Sequence, residues 1–428
     1  MMRAGATTMA DKAAAPEVGA LLSLSAAVSR ITALARPVEE VEEVDLTAAC
    51  SRVLAGTLTS AVPLPPFDHS AMDGYAVNSR DFAGAAPFRL PVIGRLAAGD
   101  AALPALSSPG AVRIFTGAPL PAGCDAVIMQ EQCETEGDDV ILRKAPSPGS
   151  HIRRQGEDVP AGSIIVTAGT QVDARHIAIA AACGIPRLPV RRRVRVAILS
   201  TGNELREPGE ALSGGAIYES NRHMLHALLH NRPVRVTDLG ACIDDPDRLT
   251  EVLTGAARNH DLILTTGGVS VGEEDHMPTV LRRYCHRVEL LKIAIKPGKP
   301  FAAGRSEHAV TLALPGNPFS AMTSFLLLAR PVLRQLCAVA DRGPATSVAV
   351  AAFEDTQSRA RDEYVPVAID GHDTWGRPQV RRIGKGGAAR LLPLVQGDGI
   401  ARLAAASPRI MPGDPLTFFD FASAFAGW

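Results

Sequence analysis

The chain has 428 residues, with 44 Lys and Arg against 45 Asp and Glu, 46% hydrophobic residues and 4% aromatic ones. This length exceeds what one compact core supports and predicts two to four domains. The balanced charge argues against a non-specific nucleic-acid binder, which needs a basic face, and the scarcity of rings argues against a platform for stacking single strands.

Residues 1–18 lack a continuous apolar stretch and read as a disordered leader, not a signal peptide. No run approaches the roughly 18 to 20 apolar residues that a membrane span needs, so a soluble, cytoplasmic protein is expected. The seven cysteines (Cys50, Cys124, Cys133, Cys183, Cys242, Cys285 and Cys337) are odd in number and never at C-x-x-C spacing. They read as reduced core residues, not as zinc ligands or a disulfide frame.

Val18 to Ala55 has a helical pattern that includes the acidic stretch EEVEEVDLTAAC. Residues 57–146 change character, with Pro and Gly punctuating short apolar runs that read as strands and tight turns. Residues 147–190 return to a strand and an Ala-rich helix, which makes 57–146 a β-rich insertion within a first domain of 19–56 and 147–190. From 191 to 340, the runs VRVAIL, PVRVTDL, DLILTT and AVTLAL read as buried parallel strands. Helices are predicted at about 219–230, 246–258 and 275–285. Ser220 and Asp245-Pro246 supply start signals for two of them, and Asn317-Pro318 is expected to open a last helix by the same capping chemistry. The expected fold is therefore α/β multidomain, with a doubly wound α/β domain and, over 345–428, a C-terminal β-barrel-like domain.

Ligands of an open α/β sheet bind beyond the carboxyl ends of its strands. Three such ends stand out: LSTGNEL with Thr201, Gly202 and Glu204; TTGGVSVGEED with Gly267, Gly268 and the carboxylates Glu273, Glu274 and Asp275; and LPGNP, a glycine turn feeding a helix. Paired glycine turns beside carboxylates suit a phosphate with Mg2+, a hard cation that favours oxygen ligands. The phosphate loop GxxxxGK[ST] is missing, and ordinary nucleotide hydrolysis is not expected. In LLKIAIKPGKP, a single strand over Leu290–Lys296 would align Lys292, Ala294 and Lys296 on one face, opposite Ile293 and Ile295, with Lys299 in the following turn. Aligned lysines fit either an anion site or an edge strand guarded against pairing, and both readings stay open. In the insertion, PPFDHSAMDGYAV carries Asp68 and Asp73 among apolar neighbours.

The strings FDHSAMDGYAV, RIFTGAPLPAGCDAVIMQE, STGNEL, IYESNRHML, TTGGVSVGEEDH, IKPGKPFAAG and LPGNPFSA, in that order from about residue 20 to 335, together resemble the molybdopterin molybdenumtransferase family, which includes bacterial MoeA proteins and the E domain of gephyrin. The resemblance implies an enzyme that binds adenylylated molybdopterin and molybdate, cleaves the pyrophosphate link with a divalent metal, and releases AMP and molybdenum cofactor. It makes 191–340 the molybdopterin-binding domain, the first domain a dimerisation domain, and the protein a homodimer whose insertion faces the partner's α/β domain. It also implies molybdopterin adenylyltransferase and molybdoenzyme maturation factors as partners, with no nucleic acid and no membrane.

Carried over by motif, Asp73, Thr116, Asp158, Glu204, Asp244 and Asp275 would be catalytic, with Glu204 and Asp275 as metal ligands. Gly267, Gly268, Ser270, Lys292, Lys296, Pro297, Lys299 and Asn317 would bind substrate. Three departures stand out. His69 replaces the Asn of many relatives. Ala388 in GKGGAARLL stands where Gly-Ser is expected. Pro366 occupies a position often basic, in a region that the family associates with molybdate. Two competing readings are an adenylyltransferase, which shares the TTGG turn but lacks the two β domains, and a gephyrin-like scaffold, for which nothing here suggests a linker to a second module.

Overall fold

The computed structural model describes residues 21–426 apart from 107, 270–275, 341–345, 385 and 408. The expected leader lies outside the described residues. The chain divides into two compact units, one of Glu43–Cys50 with Leu54–Val190 and one holding the remainder.

The first of these is built on a six-stranded sheet in the order Ala126–Met129, Gly74–Val77, Ala111–Ile114, Phe88–Leu96, Asp139–Leu142, Cys133–Glu136. Its pairs are antiparallel except the two central strands, Ala111–Ile114 and Phe88–Leu96, which run parallel. Both faces are covered: Tyr75, Val77 and Ile128 enter one core while Ala76, Val112 and Val127 enter another. That is why GYAV and AVIM are apolar throughout and do not alternate. A helix, Ala174–Ala182, starts at Asp173, whose carboxylate accepts from the N–H groups of Arg175 and His176 while the His176 ring accepts from the Asp173 N–H. The acidic stretch predicted as helical is instead the strand Val41–Asp45. Pro37 stops the preceding helix at Leu24–Thr32 and a short turn, and Glu39 and Glu43 would repel one turn apart on a helix. Within the unit, the Glu43 carbonyl and Asp45 carboxylate both engage Arg187.

In the other unit, the four predicted parallel strands are all present. A six-stranded sheet runs Val234–Cys242, Val194–Thr201, Leu262–Thr266, Val310–Leu314, Pro300–Arg305, Arg287–Lys292, with only Pro300–Arg305 running antiparallel to the rest. Alternate residues of each strand enter opposite cores, Val196 and Ile198 on one side and Ala197 and Leu199 on the other. Winding reverses between Val194–Thr201 and its neighbour Leu262–Thr266, so the switch point that opens a ligand crevice in such sheets lies between those two strands.

The helices are Asn221–Leu229, Pro246–Ala257, Met277–Tyr284 and Pro318–Ser324, the last continuing through a π turn at Phe325–Ala329 into Arg330–Leu336. Asp245 caps its helix as expected, accepting from Arg248 N–H. Ser220 and Asn317 occupy the cap positions, but neither side chain makes the cap bond. At Ser220 the reason is local: the buried Glu219 carboxylate already takes the Arg222 N–H at 2.9 Å.

The C-terminal strands Asp362–His372, Pro378–Arg382, Ser347–Ala351, Pro415–Asp420 and Gly399–Leu403 pair in that order, and the last pairs back to the first, which closes a five-stranded barrel. Val365, Val367, Val380, Ala401, Leu403 and Phe418 fill it. Closure removes the edges that an open sheet of this size would expose. Of the cysteines, five are buried; Cys50 is exposed and Cys133 half-buried, and all seven are free thiols. The thiols of Cys124 and Cys285 are pushed up to about 12 by burial, as reads for core residues. No helix among the described residues is long and apolar enough to cross a membrane.

Candidate functional site

At the switch point, Gly267 turns the chain with φ +102° so close to the neighbouring strand that a Cβ there would lie 2.3 Å from the Thr201 carbonyl oxygen. Thr201 donates its hydroxyl to Asp244, and Asp244 and Asn203 are tied twice, Asn203 N–H to the carboxylate at 3.3 Å and Asp244 N–H to the Asn203 amide at 3.2 Å. Glu204 is exposed, and its carboxylate folds back to within 2.7 Å of where a Gly202 side chain would begin. Beneath this rim, Ser200 donates to Glu219 at 2.9 Å and lies 3.2 Å from the Thr266 hydroxyl. Asn221, buried at the start of its helix, donates 2.6 Å to the Gly316 carbonyl and leaves its own amide oxygen without a partner. The edge thus gathers Thr201, Glu204, Asp244, Gly267 and Gly268, with the Gly316–Asn317 turn beside Gly267.

The lysine strand differs from the expectation. Arg287–Lys292 belongs to the α/β sheet, but the chain leaves it after Ile293, and Ile295–Lys296 pairs with Asp362–Glu363 of the barrel. The alternation holds, with Ile293 and Ile295 buried and Lys292 and Lys296 exposed. Ile293 N–H still donates to Lys299 in the register of the sheet, and the break comes one residue later, where Ala294 N–H donates to Leu22 and the Ala294 carbonyl accepts from Asp362 of the barrel. Lys292 and Lys299 are exposed with no ion pair among the described residues, whereas Lys296 meets Glu363 at 3.2 Å. Lys296, Pro297, Glu363, Pro366, Arg382, Gly387 and Ala388 line a cleft of about 90 Å3. Phe319, two residues past Asn317, lines it too and donates its N–H to the Ala388 carbonyl. Pro366 and Ala388 therefore face the same space as Lys296. Arg361 turns away and donates to the Ile295 carbonyl.

In the unit of the insertion, the Asp73 carboxylate accepts both the N–H and the hydroxyl of Thr116 at 2.8 Å each. These bonds, the N–H first, hold Asp73 below the usual carboxylate range. Asp68 accepts from Arg154 and the Gln155 N–H. Asp158 is exposed and bonded only through its backbone, to Leu64. His69 engages the Ser70 carbonyl at 3.0 Å.

Three family models cover most of the chain: the MoeA N-terminal region (domain I and II) over 22–184, a probable molybdopterin binding domain over 197–335, and the MoeA C-terminal region (domain IV) over 348–421. A molybdopterin molybdenumtransferase of Haemophilus influenzae is 41% identical over 69% of this chain and 73% of its own length. Molybdopterin molybdenumtransferase 2 of Mycobacterium tuberculosis is 38% identical over 76% of this chain and 83% of its own. The chain belongs to the molybdopterin molybdenumtransferase family. A solved molybdopterin biosynthesis MoeA protein from Pyrococcus horikoshii superposes with a TM-score of 0.80 at 28% identity, over 94% of this chain and all of that one. This family member is accordingly an enzyme with a role in molybdenum cofactor biosynthesis.

Of the residues singled out in the sequence, Ser270 and Asp275 lie outside the described residues, as do Glu273 and Glu274. The structure brings Thr201, Glu204, Asp244, Gly267 and Gly268 to one sheet edge, and Lys296 and Pro297 to the adjoining cleft. Sequence reasoning missed Ser200, Glu219 and Asn221, and the cleft residues Glu363 and Arg382. The first three sit in or beside quoted motifs. Their signal was a polar residue in an otherwise apolar strand and a Glu-Ser-Asn run at a helix start.

Proposed function

We propose that this enzyme joins molybdate to adenylylated molybdopterin, with Mg2+ as divalent metal, and releases AMP and molybdenum cofactor. One observation supports the reading: the glycine-turn edge and the lysine–arginine cleft adjoin through the Pro318–Ser324 helix, so two features whose chemistry suits anions meet on one unit. In this reading the cleft takes the molybdate. The turn N–H groups at Gly267, Gly268 and Asn317 take the pyrophosphate with Lys292 and Lys299, and Ser270 belongs to the same proposed substrate-binding set. An oxygen nucleophile adds to one phosphorus of the link, the bridging P–O bond breaks, and AMP leaves.

Among the described residues, no three His, Cys, Asp or Glu side chains converge as a metal cage. The oxygen donors of the edge, Glu204 and Asp244, nonetheless suit a hard cation that keeps several waters and takes further ligands from substrate phosphates. Together with Asp275 they would hold Mg2+, which would supply charge neutralisation at the leaving phosphate. Asp73, Thr116 and Asp158 complete the proposed catalytic set. Homodimer assembly, a cytoplasmic location, and exchange with an adenylyltransferase and with molybdoenzyme maturation factors belong to the same proposal.

The test is incubation with adenylylated molybdopterin, Mg2+ and molybdate, with AMP and cofactor measured. AMP release that depends on molybdate is expected. Lys296→Gln is expected to weaken molybdate binding by about 1 to 3 kcal/mol, the range of a charge-assisted bond, with the fold intact. Consumption of ATP and free molybdopterin instead would reassign the chain to adenylyl transfer, and an active monomer by native mass measurement would remove the dimer.

A further inference from the structure

Five charged side chains crowd one end of the barrel beside the cleft. Glu363 and Arg382 share the inward face of their strands with Val365, Val367 and Val380. Asp355 and Arg359 join them, and Lys296 reaches in from its pairing with Glu363. Three cations therefore face two carboxylates.

The contacts are unequal. Asp355 is the nearer partner of both arginines, hydrogen-bonded to Arg382 at 2.8 Å and paired by charge with Arg359 at 2.6 Å. Every contact to Glu363 is slack: Lys296 at 3.2 Å and Arg382 at 3.4 Å, both on the same oxygen, and Arg359 at 3.6 Å on the other. Charge-assisted bonds settle near 2.7 to 2.9 Å. Arg359 is only 3% exposed; the terminal nitrogen 2.6 Å from Asp355 is not aligned for a hydrogen bond, and the Nε that faces Glu363 at 3.6 Å makes none either. Asp355 is thus the closer partner of the arginines, and Glu363, farther from all three cations, is the exchangeable one.

We propose that Glu363 is an internal counter-ion that restricts this cleft to doubly charged oxyanions. The inference rests on the reading of the cleft as the molybdate subsite. An anion seated between Lys296 and Arg382 must draw both donors off one Glu363 oxygen while lying beside a carboxylate of its own sign. A monoanion exchanges one negative charge for another and gains little. A dianion brings a second charge to a cluster that already has a cation in excess, and gains on the exchange. Glu363 thereby excludes chloride, which would otherwise fill a cationic cleft at cellular salt.

The experiment is calorimetric titration of the full chain with inorganic molybdate at constant ionic strength, in the presence of sulfate or of chloride. In the unaltered protein, sulfate is expected to compete and chloride to leave molybdate binding unchanged. In Glu363→Gln, chloride is expected to compete as well, and molybdate to bind about tenfold tighter. The proposal is overturned if chloride competes as well as sulfate in the unaltered protein, an arm that needs no variant, or if a folded Glu363→Gln binds molybdate no tighter. Lys296→Gln separates the two failures. Lost binding there with no gain in Glu363→Gln refutes the counter-ion alone, whereas unchanged binding in Lys296→Gln removes molybdate from the cleft and this inference with it.

Discussion

Replacing Gly267 with Ala places a methyl 2.3 Å from the Thr201 carbonyl oxygen, on backbone at φ +102°. Two costs add. An L-residue forced into left-handed backbone costs roughly 1 to 2 kcal/mol, and overpacking against atoms that cannot yield costs roughly 1 to 3 more. The obstacle is the main chain of a buried central strand, so a loss of roughly 2 to 5 kcal/mol is expected. Two glycines calibrate the result. At Gly268 a Cβ meets the flexible Met277 side chain at 3.2 Å with φ +63°, so only the conformational cost of roughly 1 to 2 kcal/mol applies. Gly255 lies exposed in the Pro246–Ala257 helix with open space around it, and Gly255→Ala should stabilise by about 0.5 to 1 kcal/mol. Urea unfolding midpoints of the three variants check the order. A Gly267→Ala protein as stable as wild type, or no less stable than Gly268→Ala, would refute the argument that close strand approach dictates the first glycine of the turn.

Asp261 accepts from Arg192 at 2.9 Å and from the Arg195 N–H at 2.7 Å. Burial pushes this carboxyl up, but those bonds outweigh it and leave it below its ordinary value. Asp261→Asn should cost roughly 3 kcal/mol at neutral pH, as for removal of one partner of a buried pair. Because the folded-state value is depressed, that contribution is present above the unfolded carboxylate value of about 3.9 and disappears as pH falls through the folded one, so melting temperatures of wild type and variant should converge in acid. Thr116→Val removes one of the two bonds holding Asp73 down, and its carboxyl resonance should titrate at higher pH by NMR; an unmoved midpoint would mean the hydroxyl contributes nothing.

Buried strands were legible because both faces of each sheet are covered and the runs are apolar without interruption, as in VRVAIL and DLILTT. The alternation at Lys292 and Lys296 was legible for a similar reason, since Ile293 and Ile295 must be buried whichever sheet they join. Which sheet Lys296 joins was not, because its partner Glu363 becomes a neighbour only once the barrel closes. The same holds for Arg382 and Arg359, whose importance lies in what they meet and not in any motif. Ser220 looked like a cap and is not one, since the residue before it, Glu219, is buried and competes for the same N–H. Local rules read the chain well until a side chain from elsewhere claims the same group.

The two-residue Ile295–Lys296 strand has a consequence for how this chain can be divided. By sequence it lies within the α/β half, between two strands of that sheet, yet its hydrogen bonds are to the barrel. A chain cut between residues 340 and 345 would look complete as a sheet with its helices. It would nevertheless leave Lys296 without its backbone neighbour, without Glu363 and without the Arg382 side of the cleft. The C-terminal domain is therefore no detachable appendage, and the α/β domain cannot be transplanted alone with its lysine in place. Swaps between relatives should carry both parts together.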